Sequence, residues 1–298
     1  MRVGHVAVVG KPNVGKSTLV NAIVGMKVSI VSDKAQTTRR KVRGVATKED
    51  CQIVFVDTPG LHEAHTALGK ILNEAARTSI EGVDLVLIVV DCSRMPAKED
   101  KNVSDMLNAA GVFKEGGPRT VLCLNKMDVL RAEDVQRNWD AYQELFPAED
   151  VMLTSFSKKQ NIEKLEKMIV ERLPEGELLF PEDEYTDQSS RFLVAELVRE
   201  KALQLTRQEV PHSIGVVVES WDDSNPKQIQ IQVVLAIERD GQKAILIGKK
   251  GSMLKEIGIA ARKDIEEMLG TSVYLELFVK VIPNWRGNMD VLREFDYF

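Results

Sequence analysis

Residues 10–17 of the chain read Gly-Lys-Pro-Asn-Val-Gly-Lys-Ser. They match the G-x-x-x-x-G-K-[ST] pattern, in which a glycine-rich loop points backbone N–H groups at phosphate oxygens. In this pattern Lys16 reaches the β- and γ-phosphates, and the hydroxyl of Ser17 is a ligand of Mg²⁺. Residues 3–9 read as a strand and residues 16–24 as a helix, whose positive dipole end adds to the site. A glycine-rich turn without function would need neither this strand before it nor this helix after it. The segment therefore predicts a site for nucleotide phosphates.

The composition is ordinary for a globular protein. The chain has 298 residues, of which 44% are hydrophobic and 29% charged, and its net charge is -5. This length predicts about two domains. Because the chain is acidic, any affinity for nucleic acid must come from a local basic face. Cys51, Cys92 and Cys123 lack metal-ligand spacing and predict unpaired thiols, while His62 and His65 are expected to be solvated rather than metal ligands.

No targeting segment precedes the first predicted strand. The longest apolar run, residues 85–90, is too short to span a bilayer and is typical of a parallel strand buried on both faces. We therefore expect a cytoplasmic protein.

Strands and helices alternate through the first part of the chain. This alternation predicts right-handed crossovers and a mostly parallel sheet, and the short polar turn at residues 48–50 predicts an antiparallel hairpin at the sheet edge. The predicted strands are 3–9, 42–47, 52–56, 85–90, 120–124 and 151–153, and the predicted helices are 16–24, 67–79, 98–110, 132–146 and 162–172.

A change in composition follows Leu173. Residues 174–186 are acidic, contain proline and lack periodicity, which is typical of a linker. The sequence thus predicts an α/β P-loop domain over residues 1–173 and a smaller α+β domain over residues 187–298. The second domain shows the order helix, strand, strand, helix, glycine loop, helix and strand.

A second phosphate signature, Asp57-Thr58-Pro59-Gly60, follows the apolar strand at residues 52–56. An Asp at this strand end holds Mg²⁺, usually through a water, and the N–H of Gly60 meets the γ-phosphate. The D-x-x-G pattern is weak alone, but its distance from the phosphate loop makes it specific.

The sequence Asn125-Lys126-Met127-Asp128 at the end of another strand predicts the base. The carboxylate of Asp128 accepts hydrogen bonds from N1–H and N2–H₂ of guanine, whereas adenine would leave it unpaired. The stem of Lys126 can pack on the base, and Asn125 can connect this loop to the phosphate loop. Backbone N–H groups of the segment 154–157, Thr-Ser-Phe-Ser, can reach guanine O6. A lone N-K-x-D would instead be a solvated turn.

The phosphate loop, the D-x-x-G segment and the N-K-x-D segment, in this order, resemble those of the translation-factor-related class of GTPases. Residues 33–40 then take the place of the first switch, where Thr38, or else Thr37, is predicted to bind Mg²⁺ and the γ-phosphate in the GTP state. A polar loop without a packing face is also typical of disorder. Both interpretations hold, because switches order only around the γ-phosphate.

Leu61 follows Gly60, where many GTPases have a glutamine that orients the attacking water. An aliphatic side chain cannot do this, so we expect slow intrinsic hydrolysis. Asn13 is a candidate for help, because in related GTPases an Asn at this position helps to bind K⁺ beside the phosphates. The predicted catalytic residues are Lys16, Thr38, Gly60 and Asn13, and the predicted metal ligands are Ser17, Thr38 and Asp57.

A glycine loop in the second domain, Gly248-Lys249-Lys250-Gly251, joins two helical stretches. A G-x-x-G loop between helices is the backbone clamp of KH domains, which hold about four nucleotides of single-stranded RNA. The motif is weak alone, and the order of elements strengthens it; the alternative is a helical surface with solvated lysines. The predicted RNA contacts are Lys243, Ile247, Gly248, Lys249, Lys250, Gly251, Lys255 and Arg262.

Together the two halves resemble the Era family, bacterial GTPases with a C-terminal KH domain of type II. The resemblance covers nearly the whole chain and implies binding of GTP, GDP and Mg²⁺. It also implies a monomer that binds the 3′ end of small-subunit ribosomal RNA, acts in assembly of the 30S subunit and associates peripherally with the inner membrane. The motifs that carry it are residues 10–17, 34–39, 57–62, 125–128, 241–243, 247–251, 257–258 and 261–263.

The chain departs from the family at Phe156, where the family usually has Ala, and Glu63 and Ala64 leave the second switch without a clear partner signature. Two alternatives remain open. One is a P-loop phosphotransferase with an acceptor site and an Arg-rich lid, and the other is a GTPase whose second domain binds a protein or another RNA. The predicted nucleotide contacts are Gly10, Lys11, Pro12, Asn13, Val14, Gly15, Lys16, Ser17, Thr18, Asp57, Thr58, Pro59, Gly60, Asn125, Lys126, Asp128, Ser155 and Phe156.

Overall fold

The structure is a computed structural model that describes residues 1–34, 37–60, 66–206, 210–225, 227–295 and 297, without the side chain of His212. The chain divides into two compact units. The first comprises described residues of 1–29, 38–64 and 72–187, and the second those of 30–37, 65–71 and 188–298. The sequence predictions on Ala35, Gln36, Leu61, His62, Glu63, Ala64 and His65 lie outside the described residues.

The described strands of the first unit form a six-stranded sheet with the order β2-β3-β1-β4-β5-β6. The β2–β3 pair is antiparallel and the other pairs are parallel, which confirms the predicted parallel sheet with a hairpin at its edge. The predicted helix 132–146 begins instead with a short 3-10 turn. The strands are β1 (Arg2–Val9), β2 (Val42–Thr47), β3 (Cys51–Asp57), β4 (Leu85–Asp91), β5 (Arg119–Asn125) and β6 (Asp150–Leu153), and the helices are α1 (Lys16–Val24), α2 (Ala67–Thr78), α3 (Lys98–Ala109), α4 (Val135–Leu145) and α5 (Ile162–Arg172).

The sheet is buried on both faces. Side chains of a strand alternate between faces, so Leu87 packs with α1 and α5 on one side while Ile88 packs with α3 and α4 on the other. This explains why β4 reads as a continuous hydrophobic run. Because the parallel strands share a direction, their carboxyl ends meet at one edge, and the loops there carry the predicted nucleotide motifs.

Residues 174–187 pack along the first unit, although their composition predicts a linker over 174–186. The backbone N–H of Val45 donates to the carbonyl of Tyr185 at 2.8 Å. The buried side chain of Gln52 accepts a hydrogen bond from the N–H of Leu179 at 2.8 Å. These partners satisfy polar groups at the edge of the sheet. The domain limits 1–173 and 187–298 stay a prediction.

In the second unit, the described strands form a three-stranded sheet with the order β7-β8-β9. The β7–β8 pair is antiparallel and the β8–β9 pair parallel. The order of elements predicted from the sequence is confirmed, with two additional short helices, α7 and α10. The elements are α6 (Ser190–Leu205), α7 (Val210–Ser213), β7 (Gly215–Asp222), β8 (Gln228–Ile237), α8 (Asp240–Ile247), α9 (Ser252–Leu269), β9 (Ser272–Val281) and α10 (Met289–Glu294).

The core of the second unit lies between its sheet and its long helices. The period-2 residues of β8, such as Val233 and Leu235, pack against the apolar stripe of α9, which includes Ile257 and Ala261. Trp285, in the turn before α10, is fully buried, and its Nε1 donates to the carbonyl of Ser213 at 2.8 Å. Sequence periodicity could not predict this anchor, because the surrounding elements are only a few residues long.

The three cysteines are free, as predicted, and all three are buried. Burial raises the pKa of Cys51 to about 11 and that of Cys123 to about 12, so both thiols stay protonated at neutral pH. None of the helices that the structure describes is long and apolar enough to cross a membrane.

Candidate nucleotide and RNA sites

The phosphate loop lies between β1 and α1. Gly15 has φ +106, and a Cβ there would lie 2.6 Å from Nδ2 of Asn125 and 2.9 Å from Cδ2 of Phe156. The position therefore excludes any side chain, both by backbone conformation and by space. Helix α1 begins directly after it at Lys16, and the N–H groups in the first turn of a helix have no partner within the helix. This arrangement is typical of anion-binding sites.

Lys16 is buried inside the loop. Its Nζ donates to the carbonyl of Gly10 at 2.9 Å and to that of Lys11 at 3.0 Å. Burial lowers the pKa of Lys16 to about 8, and the charge of Asp57 opposes this shift. The ammonium group thus holds the loop closed around itself, in a place where phosphate oxygens would relieve its desolvation.

We expect nucleotide affinity to fall with pH above about 8 because of Lys16. Phosphate favours the protonated amine and raises its pKa in the complex, so below this pH both states are protonated and affinity is flat. Above it, binding takes up a proton, and affinity falls by up to about tenfold per pH unit. Fluorescent-GDP titrations from pH 7 to pH 9 measure this. The variant Lys16→Arg stays charged, so its nucleotide affinity should lack the fall with pH that deprotonation of Lys16 causes. Identical pH profiles of affinity for the native and variant proteins would contradict the assignment of this fall to Lys16.

Ser17, Thr38 and Asp57 form an oxygen cluster beside the loop. The hydroxyl of Ser17 donates to Oδ2 of Asp57 at 2.7 Å and lies 3.0 Å from Oγ1 of Thr38. The hydroxyl of Thr37 donates instead to the carbonyl of Lys34 at 2.5 Å. Of the two candidate threonines, Thr38 is therefore the one in this cluster.

The carboxylate of Asp57 is fully buried, and burial raises its pKa while the hydrogen bond from Ser17 opposes the shift. Its Oδ1 makes no hydrogen bond within the part of the chain that the structure describes. A buried carboxylate oxygen without a partner is costly, and a bound cation would compensate for it. Carboxylate and hydroxyl oxygens are the ligands that Mg²⁺ prefers, so these residues fit that ion.

The rest of the D-x-x-G segment is held by contacts with the phosphate loop and β1. The hydroxyl of Thr58 donates to the carbonyl of Val8 at 2.9 Å, so this hydroxyl stabilises the fold by connecting the segment to β1. Gly60 lies against Pro12, because a Cβ at Gly60 would be 2.8 Å from Cγ of Pro12. The two phosphate signatures are therefore in contact.

Asn125 connects the base loop to two other loops. It is buried, its Nδ2 donates to the carbonyl of Val14 at 2.7 Å, and its Oδ1 accepts from the N–H of Phe156 at 3.1 Å. Asp128 is exposed, and its Oδ1 accepts a hydrogen bond from the hydroxyl of Ser155 at 2.5 Å. This hydrogen bond lowers the pKa of Asp128 and keeps the carboxylate ionised, as an acceptor of guanine donors must be.

The predicted contact with guanine O6 stays a prediction. The N–H of Ser155 donates to the carbonyl of Gln160 at 3.2 Å, and that of Phe156 donates to Asn125. Both N–H groups thus have partners inside the protein. The ring of Phe156 is buried in the core next to Gly15, which accommodates a large side chain where the family usually has Ala.

Two carboxylates that the sequence analysis missed hold predicted site residues. Oδ2 of Asp91 accepts from Nζ of Lys126 at 2.7 Å, and Oδ2 of the buried Asp100 accepts from Nζ of Lys11 at 2.6 Å. Asp91 and Asn125 are register partners at the ends of neighbouring parallel strands. An Asp at the end of the buried strand 85–90 was therefore a usable signal, whereas nothing in the sequence pairs Asp100 with Lys11.

The remaining predicted nucleotide contacts lie on the phosphate loop, at the start of α1 and in the D-x-x-G segment. Val14 is buried, and Asn13 is exposed with φ +64. Thr18 is half-buried on α1, and Pro59 is buried beside Gly60.

The glycine loop of the second unit joins α8 to α9, as predicted. Gly248 has φ +74, and a Cβ there would lie 2.8 Å from the backbone N of Met253, so the loop closes tightly onto α9. Lys249 and Lys250 are exposed. Exposed ammonium groups beside a glycine backbone suit phosphate contacts.

A groove of about 380 Å³ runs from Gly251 along α9 and β9. Lys255 and Arg262 supply positive charge, while Lys243 and Ile247 lie on α8, outside its lining. The apolar part of this groove was not predicted from the sequence. The helical residues of this part follow i, i+3 and i+4 spacing from Gly251, so the sequence could have indicated them. The residues on β9 reach the groove only through the fold. The missed lining residues are Leu254, Gly258, Ile259, Leu275 and Leu277.

Comparisons with known proteins match both parts of the chain. A family model described as "50S ribosome-binding GTPase" matches residues 5–126, and a KH domain model matches residues 209–286. Over 294 residues the chain is 44% identical to the GTPase Era of Geotalea daltonii, covering 99% of this chain and 97% of the relative. The chain belongs to the Era family of GTPases. It is 42% identical over 297 residues to the GTPase Era of Heliobacterium modesticaldum, covering 100% of this chain and 97% of that protein.

Two solved Era structures match over 100% of this chain and 99% of theirs, each at 42% identity and a TM-score of 0.92. One is a variant from Aquifex aeolicus bound to GDP and AlF₄⁻, and the other is Era with MgGDPNP and nucleotides 1506–1542 of 16S ribosomal RNA. These matches confirm the predicted family, the P-loop GTPase fold followed by a KH domain, and the activity of a GTP hydrolase. They decide against the phosphotransferase alternative.

Proposed function

We propose that this GTPase binds Mg²⁺ and GTP through the residues described above and binds the 3′ end of small-subunit ribosomal RNA through its KH domain. The observation that carries the proposal is the match over the full chain to an Era protein solved with MgGDPNP and a 16S ribosomal RNA segment. The basic glycine loop and the groove on α9 supply the surface for single-stranded RNA that this function needs.

In the proposed reaction, water attacks the γ-phosphorus of GTP, and GDP is the leaving group. Ser17, Thr38 and Asp57 would hold Mg²⁺, which neutralises phosphate charge when bound. Lys16 adds a desolvated positive charge at the β- and γ-phosphates, and the N–H of Gly60 donates to the γ-phosphate. We propose a slow intrinsic rate, because Leu61 offers no group that could orient the water.

We expect K⁺ to accelerate hydrolysis through Asn13. This side chain is exposed on the phosphate loop, where its oxygen could hold a monovalent cation beside the phosphates. Comparing rates in K⁺ and Na⁺ buffers at equal ionic strength measures the effect, and Asn13→Ala should remove the difference. Equal rates of the native protein in both buffers would contradict the proposal.

The cellular role follows from combining the two sites. GTP orders the first switch around the γ-phosphate and hydrolysis releases it, so that RNA binding changes with the nucleotide. We propose that this switch acts in assembly of the 30S subunit, in a cytoplasmic monomer with peripheral membrane association, as the family resemblance implies.

Filter binding with a single-stranded RNA of the 3′-end sequence tests the RNA function. We expect affinity to fall steeply as salt rises from 50 to 200 mM, because lysines neutralise phosphates. A scrambled RNA of equal length is the control for sequence preference. Absence of salt-dependent RNA binding would favour the alternative in which the second domain binds only protein.

A further inference from the structure

Arg199 of α6 is a fully buried cation. Its side chain is 0% exposed, and its Nε and Nη2 donate to the two carboxylate oxygens of Glu196 at 2.7 and 2.6 Å. Its Nη2 also donates to the backbone carbonyl of Thr37. Thr37 precedes Arg199 by 162 residues, yet both belong to the second unit.

A second side chain of α6 holds the other end of the same segment. Nε2 of Gln204 donates to the carbonyl of Val31 at 3.3 Å and to Oε1 of Glu200 at 3.1 Å. Helix α6 therefore donates to backbone carbonyls near both ends of residues 30–37. These residues lead directly into Thr38, which belongs to the first unit.

The contact with Thr37 bears on Thr38 through the peptide bond. The carbonyl of Thr37 and the N–H of Thr38 share one rigid plane, so a donor that fixes the carbonyl also restricts the start of Thr38. The hydroxyl of Thr38 lies 3.0 Å from that of Ser17, in the oxygen cluster with Asp57.

Packing alone does not explain a buried guanidinium. Its desolvation is costly, and replacing such a buried ion pair as a whole by apolar side chains of similar volume is often neutral or stabilising. Nη1 of Arg199 makes no hydrogen bond within the described chain. An apolar residue would supply neither the partner of Glu196 nor the donor to Thr37, and of these two contacts only the second reaches the residue next to Thr38.

We propose that Arg199 is a positioning residue for GTP hydrolysis, which holds the carbonyl of Thr37 so that the hydroxyl of Thr38 stays beside Ser17. This inference rests on the proposed Mg²⁺ site. It places one determinant of metal use and catalytic rate in α6, outside the phosphate loop and the base loop.

The first test measures single-turnover GTP hydrolysis against Mg²⁺ concentration for Arg199→Gln and Arg199→Met. Loss of a charged donor should lower the maximal rate about tenfold and raise the Mg²⁺ concentration needed for half of it. GDP affinity should change less than about twofold, since the Thr38 contact serves Mg²⁺ and the γ-phosphate. The Met variant keeps side-chain volume in case the Gln variant fails to fold, as judged by thermal unfolding. Arg191→Gln, at an exposed position of α6, is the matched control.

The second test combines Arg199→Gln with Thr38→Ala. Because Arg199 acts through Thr38, the double variant should hydrolyse GTP no more slowly than Thr38→Ala alone. Either of two results would overturn the inference and leave the proposed metal site standing. One is a double variant whose loss of rate equals the product of the two single losses. The other is a native Mg²⁺ dependence of either Arg199 variant while Thr38→Ala is impaired. Native behaviour of Thr38→Ala would overturn the proposed metal site and the inference with it.

Discussion

Asp128→Asn is expected to weaken GTP binding by about 10²–10⁴-fold, since two hydrogen bonds to a charged acceptor are lost at about 1.5–3 kcal/mol each. The amide should instead favour xanthosine triphosphate. Xanthine keeps the N1–H donor, which the Asn oxygen accepts, and carries a carbonyl in place of the N2 amine, to which the Asn amide donates.

Calorimetry of both nucleotides with the native and variant proteins measures this exchange of preference. Asp140→Asn is the control, because this exposed carboxylate on α4 accepts a hydrogen bond from Gln136 and lies outside the predicted site. If the Asp128 variant keeps native GTP affinity, the carboxylate does not select the base. If both proteins bind ATP and GTP equally, the assignment of the whole base loop is wrong.

Replacing Lys249 and Gly251 together with Asp is expected to weaken RNA binding by at least about 10²-fold, because two carboxylates then face the phosphates that the loop should hold. Gly251 has φ +80, which strains any side chain there, although a Cβ would meet nothing within 4 Å. A control with the same backbone strain therefore separates the effect of charge repulsion. Basal GTP hydrolysis should stay within a few-fold of native, since neither residue belongs to the phosphate loop, to the base loop or to the contacts of α6 with Val31 and Thr37.

Lys164→Asp combined with Gly116→Asp is a matched control for this variant. It makes the same change of net charge, and Gly116 has φ +79, again with nothing within 4 Å of a Cβ. RNA binding and hydrolysis are measured for both double variants by filter binding and phosphate release. Loss of both activities in the Lys249 and Gly251 variant would show that they are not separable, and equal RNA affinity of the two variants would remove the glycine loop from the RNA site.

The sequence by itself determined the class of fold and the identity of the chemical groups. The phosphate loop, the D-x-x-G segment and Asn125–Asp128 each follow a buried strand, and parallel strands necessarily bring such segments to one edge. Helix α1 and strand β2 have the predicted limits, because apolar periodicity and turn residues are local properties. The family resemblance also followed from motifs that are contiguous in the chain.

Only the tertiary structure decided which groups meet. It left Oδ1 of Asp57 without a hydrogen bond within the described chain, and it gave Lys126 the carboxylate of Asp91. It also brought residues of β9 into the lining of the groove beside α9, and it placed a donor of Arg199 at the carbonyl of Thr37. Such contacts depend on strand register and on packing between segments far apart in the chain, and no local pattern encodes them.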